Sequence, residues 1–264
     1  VLVDTIAAAA RIEFDRLRAR GVRVCTLALM ERGAVALARR SDRVITVSGA
    51  LARDLVAARI PRSRITIVAP GVVRMRAAAR VRRSDRGLCV ANWTRAKGIR
   101  TLLAAIELLP DVRLDLVGGT PDPDYARQVR ADLRRAPFRS RVRAHGAVKG
   151  ARLARMYARA SFFVLPSAVE SYGMAVAEAL VAGLPIIACD IPATREVTAG
   201  AALLVQRGRV DPLSQTIERV ASDAALRERL SRRARERGKQ LPTWRESERE
   251  FVRAVRTMLS RPTR

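Results

Sequence analysis

Residues 162–188 read FFVLPSAVESYGMAVAEALVAGLPIIA, and this stretch decides the fold. Phe162 to Leu165 is a short apolar run of aromatic and branched residues closed by Pro166, which predicts a buried strand. Gly173 permits a tight turn into an apolar run that predicts a helix over Met174 to Ala182. Gly183 serves as the residue past its end, and Pro185 prevents continuation. Pro185 to Ala188 predicts a second strand. Strand, helix and strand in this order make a crossover whose two strands lie parallel in one sheet.

The alternation repeats on both sides. Upstream, strands are predicted over Val1 to Ile6, Val22 to Ala28, Arg43 to Val47 and Ile65 to Val68, with helices around Ala8 to Ala19 and Val35 to Arg40. A third helix starts at the N-cap Ser48 and runs through Ala58 until Pro61 stops it. Val72 to Arg86 is basic and carries few order signals, and reads as an interdomain linker. A second series follows: strand Leu88 to Ala91, helix Ile99 to Leu109, strand Val112 to Val117 ending in Gly118-Gly119, helix Tyr125 to Arg135, strand Val142 to His145 and helix Ala151 to Ala158. Downstream come a helix near Ala193 to Thr198, the strand Ala202 to Val205 and three helical stretches. The last, Trp244 to Met258, is amphipathic, with Phe251, Val252, Val255 and Leu259 on one side. The pattern predicts an α/β fold with doubly wound parallel sheets, in which ligands sit beyond the carboxyl ends of the strands.

Composition narrows the function classes. The chain has 264 residues, 49% hydrophobic, enough for a core, and a net charge of +26. No run of about 18 apolar residues offers a transmembrane helix. Cys25, Cys89 and Cys189 are widely spaced and His145 is the one histidine, which argues against a disulfide framework or a metal site and fits reduced cytosolic thiols. The chain opens without a basic segment before its first apolar run, so no signal peptide is expected. It opens directly on a strand-like run at Val1, as though the front of a longer protein were missing. Arginine supplies the basic charge apart from Lys97, Lys149 and Lys239. Such an excess is what a G+C-rich coding sequence produces, with arginine on solvated faces. The functional alternative is attraction to an anionic membrane surface. Nucleic acid is not expected, because aromatics are only 4% and the arginines form no single stripe.

Two segments carry candidate chemistry. In the first, Glu170-Ser171-Tyr172-Gly173-Met174 precedes a helix whose first-turn N–H groups, around Tyr172 to Ala175, suit an anion such as a diphosphate. Glu170 in the loop and Glu178 in the helix are acceptor groups that suit a hydroxyl-rich ligand. The alternative makes Glu170 a capping acid and Glu178 a surface residue, yet Glu178 sits among apolar neighbours where a carboxylate needs a partner. The second segment is Asn92-Trp93-Thr94-Arg95-Ala96-Lys97-Gly98, at the end of a strand. Its cations Arg95 and Lys97 are placed to neutralise a leaving diphosphate, unless they are merely exposed; Lys97 stands out because lysine is scarce.

From about Ser41 to Arg253 the sequence resembles the group 1 (family 4) glycosyltransferases of the GT-B fold. The resemblance is carried by SDRVITVSGALARDL, ITIVAPGV, VANWTRAKGIRTLLAAIELL, DVRLDLVGGTPDPDYA, HGAVKGARLARMYARASFFVLPS and ESYGMAVAEALVAGLPIIA, and by the LPTW before the last helix. It implies a partial acceptor-side Rossmann-like domain over 1–72, a linker over 73–86, a nucleotide-sugar-binding Rossmann-like domain over 87–240, and a helix over 241–264 returning to the first domain.

It further implies transfer of a sugar from a UDP- or GDP-sugar to a glycan, lipid or small-molecule acceptor, with retention of configuration and no metal or other cofactor. Carried over, Glu178 binds the ribose hydroxyls, Glu170 contacts the donor sugar, and Lys97 offsets the diphosphate charge. Arg95 stands in for a companion arginine whose usual place is held by Asn92. The Tyr172 to Met174 backbone, Ser171 and the Gly118-Gly119 turn complete the donor site, and the backbone at Ala147 and Val148 meets the base. Relatives of this kind act in the cytoplasm, often at the inner face of a membrane, where peripheral contact with anionic lipid fits the charge. The competing expectation is a catalytically incomplete nucleotide-binding remnant or subunit that needs a partner chain.

Overall fold

The computed structural model describes residues 22–27, 32–74 and 86–260, and the structural statements below concern these residues. The strand and helix expected within 1–21, and residues 75–85 of the expected linker, lie outside them. The chain divides into two units. One takes the described residues up to Val73 together with those from Leu241 onward, and the other runs Arg74–Gln240.

In the first unit, β2 (Arg43–Thr46) lies parallel between β1 (Val24–Leu27) and β3 (Ile65–Ile67). Neighbouring residues of β2 point to opposite faces. Val44 packs with Ala38 of the helix Arg32–Arg39 and with Ala52 and Leu55 of the helix Gly49–Ala57. Ile45 packs instead with Val68 and with Phe251, Ala254, Val255 and Met258 of the closing helix Trp244–Ser260. Helices therefore cover both faces. The face of the closing helix differs from the expected set, because buried residues recur at 251, 254, 255 and 258, while Val252 falls off that stripe and is half-buried; the Leu259 side chain lies outside the description. The helices Gly49–Ala57 and Trp244–Ser260 are capped as their residues dictate. Ser48 Oγ accepts from the Leu51 N–H at 3.1 Å, and Thr243 and Glu246 form a capping box, with the Thr243 N–H donating to Glu246 at 2.7 Å.

The second unit is a six-stranded parallel sheet in the order β6-β5-β4-β7-β8-β9. Its strands are β4 (Arg86–Val90), β5 (Arg113–Val117), β6 (Val142–Ala144), β7 (Phe162–Leu165), β8 (Ile186–Cys189) and β9 (Leu203–Val205). Every residue of β7 and β8 is buried, as expected of central strands covered on both faces. The chain winds outward from β4 to β6, then returns to β7 on the other side of β4. The loops after β4 and β7 thus diverge and leave a crevice at the carboxyl edge.

Some boundaries differ from the sequence reading. β4 starts at Arg86, not Leu88: the Arg86 guanidinium is buried, donating to Asp115 Oδ1 (3.0 Å) and to the carbonyls of Leu114 and Arg141. A residue read as part of a basic linker is therefore a sheet residue with its charge neutralised. His145, just past β6, shares the same Asp115 oxygen at 3.0 Å. The helix expected from Tyr125 begins at Pro123, because Asp122 caps it by accepting from the Tyr125 N–H. A short helix, Ala136–Arg139, was not expected. Among the described residues no helix is long and apolar enough to cross a membrane.

Candidate functional site

The crevice at the β4/β7 switch point holds a cavity of about 290 Å³. Its walls come from four strand ends: Asn92 and Lys97 after β4, Gly118 and Gly119 after β5, Val148 and Lys149 after β6, and Glu170, Met174 and Ala175 after β7. Backbone bonds lace these loops together. The Gly118 N–H donates to the Gly146 carbonyl (2.8 Å), the Trp93 N–H to the Gly119 carbonyl (2.8 Å) and the Ala168 N–H to the Ala96 carbonyl (2.8 Å). Asn92 Oδ1 accepts from the Gly119 N–H at 3.0 Å. Gly118 cannot be replaced without moving backbone, since a Cβ there would lie 1.8 Å from the Ala91 carbonyl oxygen.

Lys97 sits in a single 3₁₀ turn (Arg95–Lys97) ended by Gly98 in the left-handed region at φ 66°. This turn swings the ammonium across the crevice, where it meets Glu170 Oε1 at 2.6 Å. The two side chains are 26% and 11% exposed, so the pair is screened only in part. Burial within β4 pushes the Cys89 thiol up to about 12 despite the nearby Lys97 charge, leaving it neutral.

On the β7 side, Gly173 adopts φ 93°, a left-handed conformation that favours glycine, and starts the helix Met174–Val181 with no side-chain cap. The first intrahelical bond runs from the Ala177 N–H to the Gly173 carbonyl, so the N–H groups of the preceding turn have no intrahelical acceptor. Met174 and Ala175 of this positive end line the same cavity as Lys97. One turn further along the face that carries Met174 and Ala175 lies Glu178. Its Oε2 accepts from the Tyr157 hydroxyl at 2.8 Å. Burial raises the Glu178 carboxyl above the usual range, and the bond from Tyr157 opposes that rise.

The structure brings Asn92, Lys97, Gly118, Val148, Glu170 and Met174 of the predicted set into the cavity wall. Arg95 does not join them. Its guanidinium lies over the Tyr125 ring, 5.9 Å from the centroid, because the 3₁₀ turn points neighbouring side chains in different directions. The side chain of Tyr172 is buried in the protein and its hydroxyl feels Arg237 and Glu196, so it offers the site only backbone. Ser171 and Gly173 shape the turn without lining the cavity, and Glu178 lies one turn behind the lining residues Met174 and Ala175, outside the cavity wall itself. Two residues were missed. Lys149 lines the cavity and carried the same signal of scarcity as Lys97. Tyr157 is the partner that Glu178 was expected to need, but the sequence does not say which helix supplies it. Among the described residues no group of three or more His, Cys, Asp or Glu comes together around one point.

A model of the glycosyl transferases group 1 family matches residues 81–237, the segment that carries this cavity. The chain is 34% identical over 143 residues to a D-inositol 3-phosphate glycosyltransferase of Xylanimonas cellulosilytica, covering 53% of this chain and 34% of that protein. It is 28% identical over 178 residues to the O-antigen chain mannosyltransferase B of Escherichia coli, covering 65% and 45%. The matched stretch thus spans less than half the length of either relative. In fold it is similar to Anabaena HepE solved with UDP and glucose (TM-score 0.78, 19% identity, 96% of this chain and 75% of that one). It is also similar to sucrose-phosphate synthase from Thermosynechococcus elongatus (TM-score 0.75, 21% identity, 94% and 71%). These structural likenesses support the GT-B fold, with parallel-sheet Rossmann-like units. With more than half its length matched by the family and the loops at the switch point built as described, the chain belongs to the group 1 glycosyl transferases.

Proposed function

We propose that this chain carries the donor-binding part of a retaining glycosyltransferase that uses a nucleoside diphosphate sugar, with UDP or GDP as the leaving group, and needs no metal. The observation that carries the reading is the Lys97–Glu170 pair beside a helix start whose N–H groups no side chain caps. A cation and oriented amide donors on one side suit a diphosphate, and a carboxylate on the other suits sugar hydroxyls. Lys97 and the Met174 end of the helix hold the diphosphate, Glu170 orients the sugar, and Glu178 accepts from the ribose hydroxyls. The glycine turn at Gly118 and the backbone at Val148 leave room for the base.

In the reaction we propose, the bond from the anomeric carbon to the diphosphate oxygen breaks and its electron pair stays on the diphosphate. The acceptor oxygen bonds to the same face of that carbon and its proton passes to the departing diphosphate. The protein's part is positioning and stabilisation of the developing negative charge, chiefly by Lys97 and the helix N–H groups. We place this activity in the cytoplasm, in keeping with three buried, unpaired cysteines; the acceptor is a glycan, lipid or small molecule.

Calorimetric titration of UDP, GDP and ADP into the purified chain tests the reading. One diphosphate is expected to bind selectively, and Lys97→Met is expected to weaken that binding about 100-fold. Absence of binding by all three at millimolar concentration would overturn it.

A further inference from the structure

We propose that Tyr157 is a positioning residue of the donor site, whose hydroxyl fixes one oxygen of Glu178 so that the other faces the ribose of a nucleoside diphosphate. The inference rests on the ribose role proposed for Glu178. Tyr157 lies on the helix Gly150–Arg159, where it is the one fully buried side chain. Its ring stacks on Phe163 of β7, with centroids 5.9 Å apart and planes at 28°. Packing of this kind leaves the phenol no alternative rotamer, so the place of the hydroxyl is set by the fold before any ligand arrives.

The hydroxyl has one proton and two acceptors within reach, Glu178 Oε2 at 2.8 Å and the Ala175 carbonyl at 3.3 Å. The shorter contact and the charge of the carboxylate assign the proton to Glu178. A carboxylate held at one oxygen cannot rotate freely, and its second oxygen keeps a fixed direction for a diol. Phenylalanine would fill the same space, as Phe162 and Phe163 do nearby. The hydroxyl is what the packing alone does not require, and burying it is costly unless it is bonded. Few charges bear on the pair. Glu178 responds to burial and to Tyr157, and Tyr157 in turn feels Glu178 and Cys89.

The test compares UDP and GDP with their 2′,3′-dideoxy forms, titrated into the whole chain at several pH values. The ratio of ribo to dideoxy affinity isolates the ribose and cancels titration of the phosphates. The wild-type chain is expected to prefer the ribo form, and the preference to fall as acid protonates Glu178. In Tyr157→Phe the ribo affinity should drop about tenfold, the worth of a hydrogen bond to a charged group, with the dideoxy affinity unchanged. The acid loss of the ratio should also begin at higher pH, because the bond that favours the carboxylate is gone. Equal weakening of both forms, or an unchanged ratio and pH profile, would overturn the proposal.

The outcomes separate the two readings. A wild-type chain that binds nucleotide without preferring ribose removes the Glu178 role and this proposal with it, while the diphosphate site stands. A wild-type chain that binds no nucleotide removes the donor site itself. Should Tyr157→Phe fail to fold, 3,5-difluorotyrosine at position 157 keeps the ring and makes the hydroxyl a stronger donor. The acid loss must then move to lower pH, and an unmoved profile counts against the proposal.

Discussion

Glu170 and Glu178 stand on one loop and the helix it starts, yet the protein treats them in opposite ways. Glu170 faces an ammonium at 2.6 Å, so two opposite charges share a partly shielded crevice. Among the described residues Glu178 pairs with a neutral hydroxyl and with no cation, so burial opposes its charge and the Tyr157 hydroxyl supports it. The difference teaches how a site can hold two carboxylates for different tasks. Under the proposed function, the first keeps a cation parked where a diphosphate would need it. The second would keep an acceptor aimed at the ribose, at some expense to folding.

The sharpest way to break the comparison is Lys97→Met. Nucleoside diphosphate affinity is expected to fall about 100-fold, since a charge-assisted contact and its long-range attraction disappear together. Glu170 would then be a largely buried carboxylate with no counter-charge, which costs stability by about 2 kcal/mol for a pair shielded to this degree. Adding Glu170→Gln should restore the melting temperature without restoring binding. A double variant that melts as low as the single one would show that the two charges are not coupled.

Glu178→Gln sharpens the other half. Ribonucleotide affinity should fall about tenfold, while the fold should hold, because the amide oxygen still accepts from Tyr157 and no desolvated charge remains. The sign with pH follows from the raised carboxyl. A native group that holds its proton more tightly than the unfolded chain does stabilises the wild type at low pH. That contribution is lost as pH rises through the native value. Melting curves from pH 4 to pH 8 should therefore show the variant gaining on the wild type. A gap that narrows or stays flat would contradict the environment assigned to Glu178.

How much of this was legible beforehand follows from the range of each signal. The strand of residues 162–165, the turn at Gly173 and the helix from Met174 depend on local sterics and apolar period, and residues 162–188 contain all three. Ser48 could be named as a cap because capping needs only its own backbone and a side-chain oxygen. Arg86 could not be separated from the basic residues before it, because its acceptors lie on β5 and ahead of β6, which come together only in the folded sheet. The same holds for Tyr157, whose helix is separated from Glu178 by a whole strand. Arg95 parts from Lys97 for a different reason. Two cations two positions apart look equivalent in sequence, but a 3₁₀ turn sends one toward the cavity and the other over Tyr125.

The smallest expected effect belongs to Lys149, and it measures how much of the diphosphate attraction is contact and how much is field. Lys149 lines the same cavity as Lys97, but it is exposed and makes no ion pair among the described residues. An exposed ammonium acts through solvent and is screened over about 8–10 Å at ordinary ionic strength. Lys149→Ala is thus expected to weaken UDP or GDP binding by only about two- to threefold in low salt. Near 0.5 M salt the effect should vanish, whereas the loss in Lys97→Met should persist, because that ammonium sits in a crevice where salt screens less. Titrations of both variants at low and high salt check this. Equal salt sensitivity would mean that Lys97 too works at a distance, and the parked cation beside Glu170 would lose its special standing.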